Sequence, residues 1–237
     1  MMNIREKIES SPSLRIAYSS LMIAFTFIST IVISIYIPAT RGFFNIGEFG
    51  VYIAALTGGP IVGLIAGGFG SALADIFLGY EYYAPITLIV KGLEGLIVGY
   101  LASKLVRIRF NRWMGITASL AVAALAITIG SAYYIGEAEV TILNISYVIS
   151  LSTIIWLVVG IVMLSVTFYS TMKKPSMTAY IVAMFIGGTE MILGYFTAQY
   201  IIFGAAAFVE LFYNLFQVII GMALAITVIS YIEEAIQ

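Results

Sequence analysis

Residues 44–99 read FNIGEFGVYIAALTGGPIVGLIAGGFGSALADIFLGYEYYAPITLIVKGLEGLIVG, and their reading decides the fold. The stretch is apolar enough to sit in lipid, yet it carries Asn45, Glu48, Asp75, Lys91 and Glu94. Hydrocarbon offers an ionised group neither water nor screening, so such residues face a cavity or a partner. Gly58, Gly59 and Pro60 fall near the centre of 46–79, where glycine frees the backbone and proline removes a helical hydrogen bond. That segment is therefore either one kinked span or two shorter ones.

The rest of the chain agrees with a membrane setting. With 62% hydrophobic and 10% charged positions in 237 residues, there is too much apolar surface for a soluble domain of this size. The expectation is a single integral membrane domain over 1–237, an all-α helical bundle whose first apolar run serves as its own insertion signal. Apolar runs at about 16–40, 46–58, 60–79, 84–103, 113–135, 142–170, 177–203 and 206–232 are each read as helix, by the roughly 20-residue spanning requirement. Residues 1–12 form a polar lead-in.

Charge decides the count. Lys and Arg near span ends collect on the cytoplasmic side, and Arg5, Lys7 and Arg15 put the N-terminus there. If 46–79 crosses twice, Lys104, Arg107, Arg109, Arg112, Lys173 and Lys174 also fall inside, and the acidic loop Gly136 to Val140 falls outside. Of the 11 basic residues, this leaves only Arg41 outside and Lys91 within the membrane. The expectation is eight spans in the cell membrane, with both termini cytoplasmic.

Absences bound the chemistry. The chain has no histidine and no cysteine, which excludes disulfides, thiolate nucleophiles, haem ligation and metal sites built on those residues. It has no G-x-x-x-x-G-K-[ST] string, so it has no loop with which to hydrolyse a nucleotide. No arrangement of nucleophile and base is visible. We expect no enzymatic activity, catalytic residue, cofactor, metal or nucleic-acid partner.

Spacing then places the polar residues. Counted from the outer helix ends at about 1.5 Å per residue, Lys91 and Glu94 lie roughly 10 and 15 Å deep. Asn214 and Gln217 lie roughly 12 and 17 Å deep, and Glu190 roughly 20 Å. Glu210, Asn214 and Gln217 share one face of the last span, and Lys91 and Glu94 share one face of the fourth. Asp75 and Glu48, with Tyr52, Tyr80, Tyr82 and Tyr83, are expected at the outer mouth. These groups either line one polar, aromatic-lidded cavity or pair among themselves as structural contacts.

Small residues recur at helical spacing. Gly59, Gly63, Gly67 and Ser71, and Gly92, Gly95, Gly99 and Ser103, make stripes that let backbones approach closely. A weaker stripe, Ser13, Ala17, Ser20 and Ala24 in the first span, either packs internally or faces a partner protein.

The runs FNIGE, LTGGPIVG, GGFGSALAD and YYAPITLIVKGLEG, followed later by GGTEMILGYF and NLFQVIIG, resemble the substrate-binding S components of energy-coupling factor (ECF) transporters. The branch resembled is the riboflavin-type one, which includes members for pyridoxine and hydroxymethylpyrimidine. The resemblance covers about 13–106 and 177–232. It implies an outward-facing pocket for a vitamin or vitamin precursor, and association with a transmembrane coupling protein and two cytoplasmic ABC ATPases. It implies that Asn45, Glu48, Asp75, Tyr83, Lys91, Glu94, Glu190, Asn214 and Gln217 serve the ligand, and that Ser13, Ala17, Ser20 and Ala24 face the coupling protein. It also implies six spans, so 113–172 is read as an inserted transmembrane hairpin on a six-helix core. The alternative from the residues alone is a solitary proton-coupled transporter of a small polar solute, with Glu94 or Glu190 as proton carrier.

Overall fold

The computed structural model describes residues 4–37, 40–108, 110–133, 135–142, 145–174 and 176–235. Arg109 and both chain ends, on which the sidedness argument partly rests, lie outside the described residues. Within the polar lead-in a short helix α1 (Ile4–Ser10) leads into α2 (Pro12–Ile31), which Ser11 caps by accepting from the Leu14 amide. The first apolar run does not continue as helix to residue 40. Its β-branched series Ile31, Val32, Ile33 and Ile35 favours an extended backbone, and β1 (Ile33–Ile37) turns at Arg41, whose φ is 54°, into β2 (Gly42–Asn45).

The helix α3 (Gly47–Leu78) folds back on itself. Gly59 has φ 83° and ψ −173°, a conformation open to glycine, and Pro60 starts the second arm where its missing N–H costs nothing. A methyl group on Gly63 would come within 2.9 Å of the Ala55 side chain, and one on Gly67 within 3.1 Å of Val51. In a continuous helix those pairs would stand about 12 and 24 Å apart. The two arms, 47–58 and 60–78, are therefore antiparallel, and the charge argument for a fold-back at Gly59 agrees with the geometry.

The second arm lies against α4 (Ala84–Leu105), with Gly63 and Gly95 in direct backbone contact and Gly99 against Pro60. Both glycine stripes are thus spent on internal packing. The first arm lies against α2, where Tyr18 donates to Thr57 at 2.8 Å and Gly50 sits on Thr26. On the other side α4 meets α7 (Ser176–Phe203), which turns through a single 3-10 turn into α8 (Ala207–Ala235). Gly187 lies on Val98, Gly188 on Val218, and Gly221 on Glu48, closing a ring of α3, α4, α7 and α8.

Between α4 and α7 run α5 (Arg112–Tyr133) and α6 (Thr153–Lys173), paired through Gly130 on Trp156 and Gly160 on Ile127. The expected acidic loop and the start of the expected 142–170 span are instead strands β3 (Gly136–Ile142) and β4 (Ile145–Leu151). Among the described residues the four strands form one antiparallel sheet in the order β2-β1-β3-β4, with Ser34 opposite Asn45 and opposite Thr141. The apolar bundle is all-α, and the sheet covers one end of it. Ile37 and Phe44 of the sheet bury against Trp156 and Phe216, which anchors the cover to the helices.

Among the described residues six segments are long and apolar enough to cross a membrane: Pro12–Ile31, Gly47–Leu78, Ala84–Leu105, Trp113–Tyr133, Thr153–Lys173 and Ser176–Ile232. The last contains both α7 and α8, and Gly47–Leu78 contains both arms of α3. Large apolar side chains such as Phe77, Ile89, Trp113 and Ile201 stay exposed around the bundle, as lipid contact requires.

Candidate functional site

The site is built from its floor upward. Glu48 stands in the first turn of α3, where the helix N-terminus favours an anion. Its carboxylate pairs with Lys91 of α4, which also donates to Glu94 at 3.1 Å. All three are buried, Lys91 at 4% exposure and both glutamates at 0%. Two carboxylates therefore share one ammonium, and Glu48 Oε2 and Glu94 Oε1 have no hydrogen-bond partner among the described residues. Glu48 and Tyr52 were expected at the mouth. The fold-back of α3 instead takes Glu48 down to Lys91 and leaves Tyr52 fully buried, its hydroxyl 3.5 Å from the Met184 carbonyl.

Above this floor is a partly open cavity. Asp75 of α3 and Thr87 and Lys91 of α4 form one wall, and Tyr195 and Gln199 of α7 form the next. Glu210, Asn214 and Gln217 of α8 form the third, in the stripe their spacing predicts. Gly42, Phe43 and Asn45 of β2 and Tyr83, just before α4, roof it. The mixed polar and aromatic lining is of the kind that recognises a small heterocycle.

Hydrogen bonds fix these side chains. Tyr195 donates to Thr87 at 2.8 Å, Gln199 Nε2 to the Tyr83 hydroxyl at 3.3 Å, and Gln217 Nε2 to Asn214 Oδ1 at 2.9 Å. The Asn45 amide donates to Gln217 Oε1 at 3.0 Å, and the Asn45 side chain accepts from the Gly47 amide at 2.7 Å. These two bonds tie the roof to α8 and to the start of α3. Tyr83 donates to the Thr40 carbonyl at 3.0 Å, the Thr40 hydroxyl bonds Glu210, and Tyr82 bonds the Arg41 carbonyl. Burial pushes the Tyr83 phenol well above its ordinary range, so it remains a donor at neutral pH. Phe43 stacks on Tyr80 with centroids 4.5 Å apart, closing the aromatic cover.

Six of the nine residues expected at the ligand thus reach the cavity wall: Asn45, Asp75, Tyr83, Lys91, Asn214 and Gln217. Glu48 and Glu94 lie beneath it as partners of Lys91. Glu190 is half-buried on α7, outside the lining, with Oε2 unpartnered among the described residues. Sequence reasoning missed Thr87, Tyr195 and Gln199. Thr87 stands one turn before Lys91, and Tyr195 and Gln199 are four apart, so helical spacing could have flagged all three. Among the described residues no Asp and Glu group is arranged to hold a metal ion. Ser13, Ala17, Ser20 and Ala24 lie exposed along one side of α2, among exposed Ile16, Leu21 and Ile28.

A family model described as "ECF-type riboflavin transporter, S component" matches residues 12–148, more than half of the chain. The chain belongs to that family. This S component is similar over 73 residues, at 47% identity, to a protein from Pyrococcus woesei named "Uncharacterized protein in gap 3'region". The aligned part is 31% of the S component and 49% of that relative, so the chain spans about half the length of the curated relative it matches. No solved structure matches it. The family match takes in the floor, the roof and the α3–α4 wall, and runs on through α5 and β3. The α7 and α8 walls lie beyond it. The family is one of transporter subunits in the membrane, which fits the apolar helices.

Proposed function

We propose that this S component is the high-affinity substrate-binding subunit of an ECF-type importer for a vitamin or vitamin precursor. The observation that carries the reading is the single cavity to which α3, α4, α7, α8 and the β1–β2 hairpin each bring buried polar side chains. Asn45, Asp75, Tyr83, Lys91, Asn214 and Gln217 contact the ligand. Glu48 and Glu94 hold Lys91 in place, because a buried ammonium without carboxylates would be prohibitively costly. The β1–β2 hairpin opens and closes over the ligand, held shut by the Tyr83, Tyr82 and Glu210 contacts with Thr40 and Arg41.

In the membrane we read eight crossings with both termini cytoplasmic, each arm of α3 counting as one, α5–α6 as an added hairpin, and the sheet outside. The energy for uptake comes from a transmembrane coupling protein with two ABC ATPases. It docks on the exposed small-residue side of α2 at Ser13, Ala17, Ser20 and Ala24.

The test is mass spectrometry of small molecules that co-purify with the detergent-solubilised protein, followed by titration of what is found. A stoichiometric vitamin-like heterocycle is expected. Glu190, half-buried with an unpartnered oxygen, favours one rival, a solitary proton-coupled transporter. Uptake by vesicles holding only this chain, abolished by dissipating the proton gradient, would replace the proposed reading with that one.

A further inference from the structure

Acidic groups outnumber basic ones in the cavity lining. Its wall carries the carboxylates of Asp75 and Glu210, and its one ammonium, Lys91, is already shared by Glu48 and Glu94 beneath. The hydrogen-bonding capacity left over is also unequal. Asp75 Oδ2 and Gln199 Oε1 are buried acceptors without a partner among the described residues, and Asn214 Nδ2 is a buried donor without one. Each belongs to a side chain at least nine-tenths buried that lines the cavity, with exposures of 4%, 3% and 4%. A buried carboxylate oxygen in apolar surroundings is costly until a cation or an N–H group meets it. Phe43, Tyr83 and Tyr195 line the same space, and aromatic rings attract a flat cation through their quadrupoles.

Resting on the reading of this cavity as the ligand site, we propose that the S component selects a positively charged, amine-bearing aromatic heterocycle over neutral or anionic ones. The ammonium or amino edge meets Asp75 Oδ2 and Gln199 Oε1, a ring nitrogen or hydroxyl accepts from Asn214 Nδ2, and the ring lies among the aromatic side chains. The residue pattern is poorly suited to a carboxylate- or phosphate-bearing form, which would find Asp75 and Glu210 in the lining and no spare cation among the residues that line the cavity.

The experiment is calorimetric titration of the purified full chain in detergent with three ligands on one ring, pyridoxamine, pyridoxine and 4-pyridoxic acid, and with riboflavin as a larger neutral probe. A charge-assisted hydrogen bond predicts that pyridoxamine binds about tenfold or more tighter than pyridoxine, with 4-pyridoxic acid weakest. In Asp75→Asn the preference for the amine over pyridoxine should fall to within about threefold, whatever the change in overall affinity. Glu210→Gln gives an independent check should Asp75→Asn fold poorly, with the same direction and a smaller loss. Tighter binding of riboflavin or of the acid than of the amine overturns the charge assignment and leaves the substrate-binding reading standing. Binding of none of the four by the wild-type protein overturns both.

Discussion

The α3–α4 pair and the α5–α6 pair are both helical hairpins of apolar sequence, and they do different work. The first buries about half of its apolar windows inside the protein, 56% for α3 and 50% for α4, and carries Glu48, Asp75, Lys91 and Glu94. The second buries 39% and 28%, and has no charged residue between Trp113 and Tyr133 or between Thr153 and Met172. Hydropathy alone makes the pairs look alike. The difference is that ionisable groups can be kept in lipid only where other helices enclose them, so the charged pair sits at the centre and the uncharged pair at the edge.

The largest break in that comparison is Lys91→Ala. It leaves Glu48 and Glu94 as buried carboxylates with no counter-charge and should cost about 3–5 kcal/mol, read as a large fall in the thermal unfolding midpoint in detergent. Lys91→Met combined with Glu48→Gln and Glu94→Gln should recover most of that loss while binding stays abolished. A single Lys91→Ala as stable as wild type would mean that the charges are not enclosed as described.

Next in size are the close helix contacts. Gly95→Ala puts a methyl group onto the Gly63 backbone, which cannot swing aside, and should cost about 1–3 kcal/mol. Gly160→Ala in the peripheral pair meets the flexible Ile127 side chain and should cost less than half as much, measured by the same unfolding assay. Equal costs would erase the distinction between a tight centre and a loose edge.

Smaller again is Tyr83→Phe, which removes the bond to the Thr40 carbonyl and the acceptor for Gln199. It should weaken binding by about 0.5–1.5 kcal/mol, mostly as faster ligand release in stopped-flow measurements. The smallest effect on stability is expected for Ala24→Val on the exposed side of α2, within about 0.5 kcal/mol. Its signature is lost assembly with the coupling protein in a pull-down with intact ligand binding. Retained assembly would free that stripe of the role given to it.

Much of this is legible in the sequence. A composition dominated by apolar residues dictates a membrane bundle, and the basic residues at helix ends required a fold-back near Gly59, where Gly58, Gly59 and Pro60 permit one. The one-face spacing of Glu210, Asn214 and Gln217 announced a polar wall. Other features were not legible, since they depend on residues far apart in the chain. The strands at 33–37 and 145–151 read as the ends of apolar helices because a short apolar run has no period of its own. They became strands because each had an antiparallel neighbour to satisfy its backbone.

Sequence by itself determined which residues are too polar for lipid and that the chain is an apolar membrane bundle, because hydropathy and charge belong to each residue wherever it ends up. Only the tertiary structure decided that Glu48 meets Lys91 across 43 positions, that Tyr195 and Gln199 join the cavity, and that Glu190, one helix face away, does not. Those outcomes depend on how each helix is rotated about its axis. Glycine contacts such as Gly187 on Val98 and Gly188 on Val218 fix that rotation for α7, and they form only when the helices are already side by side.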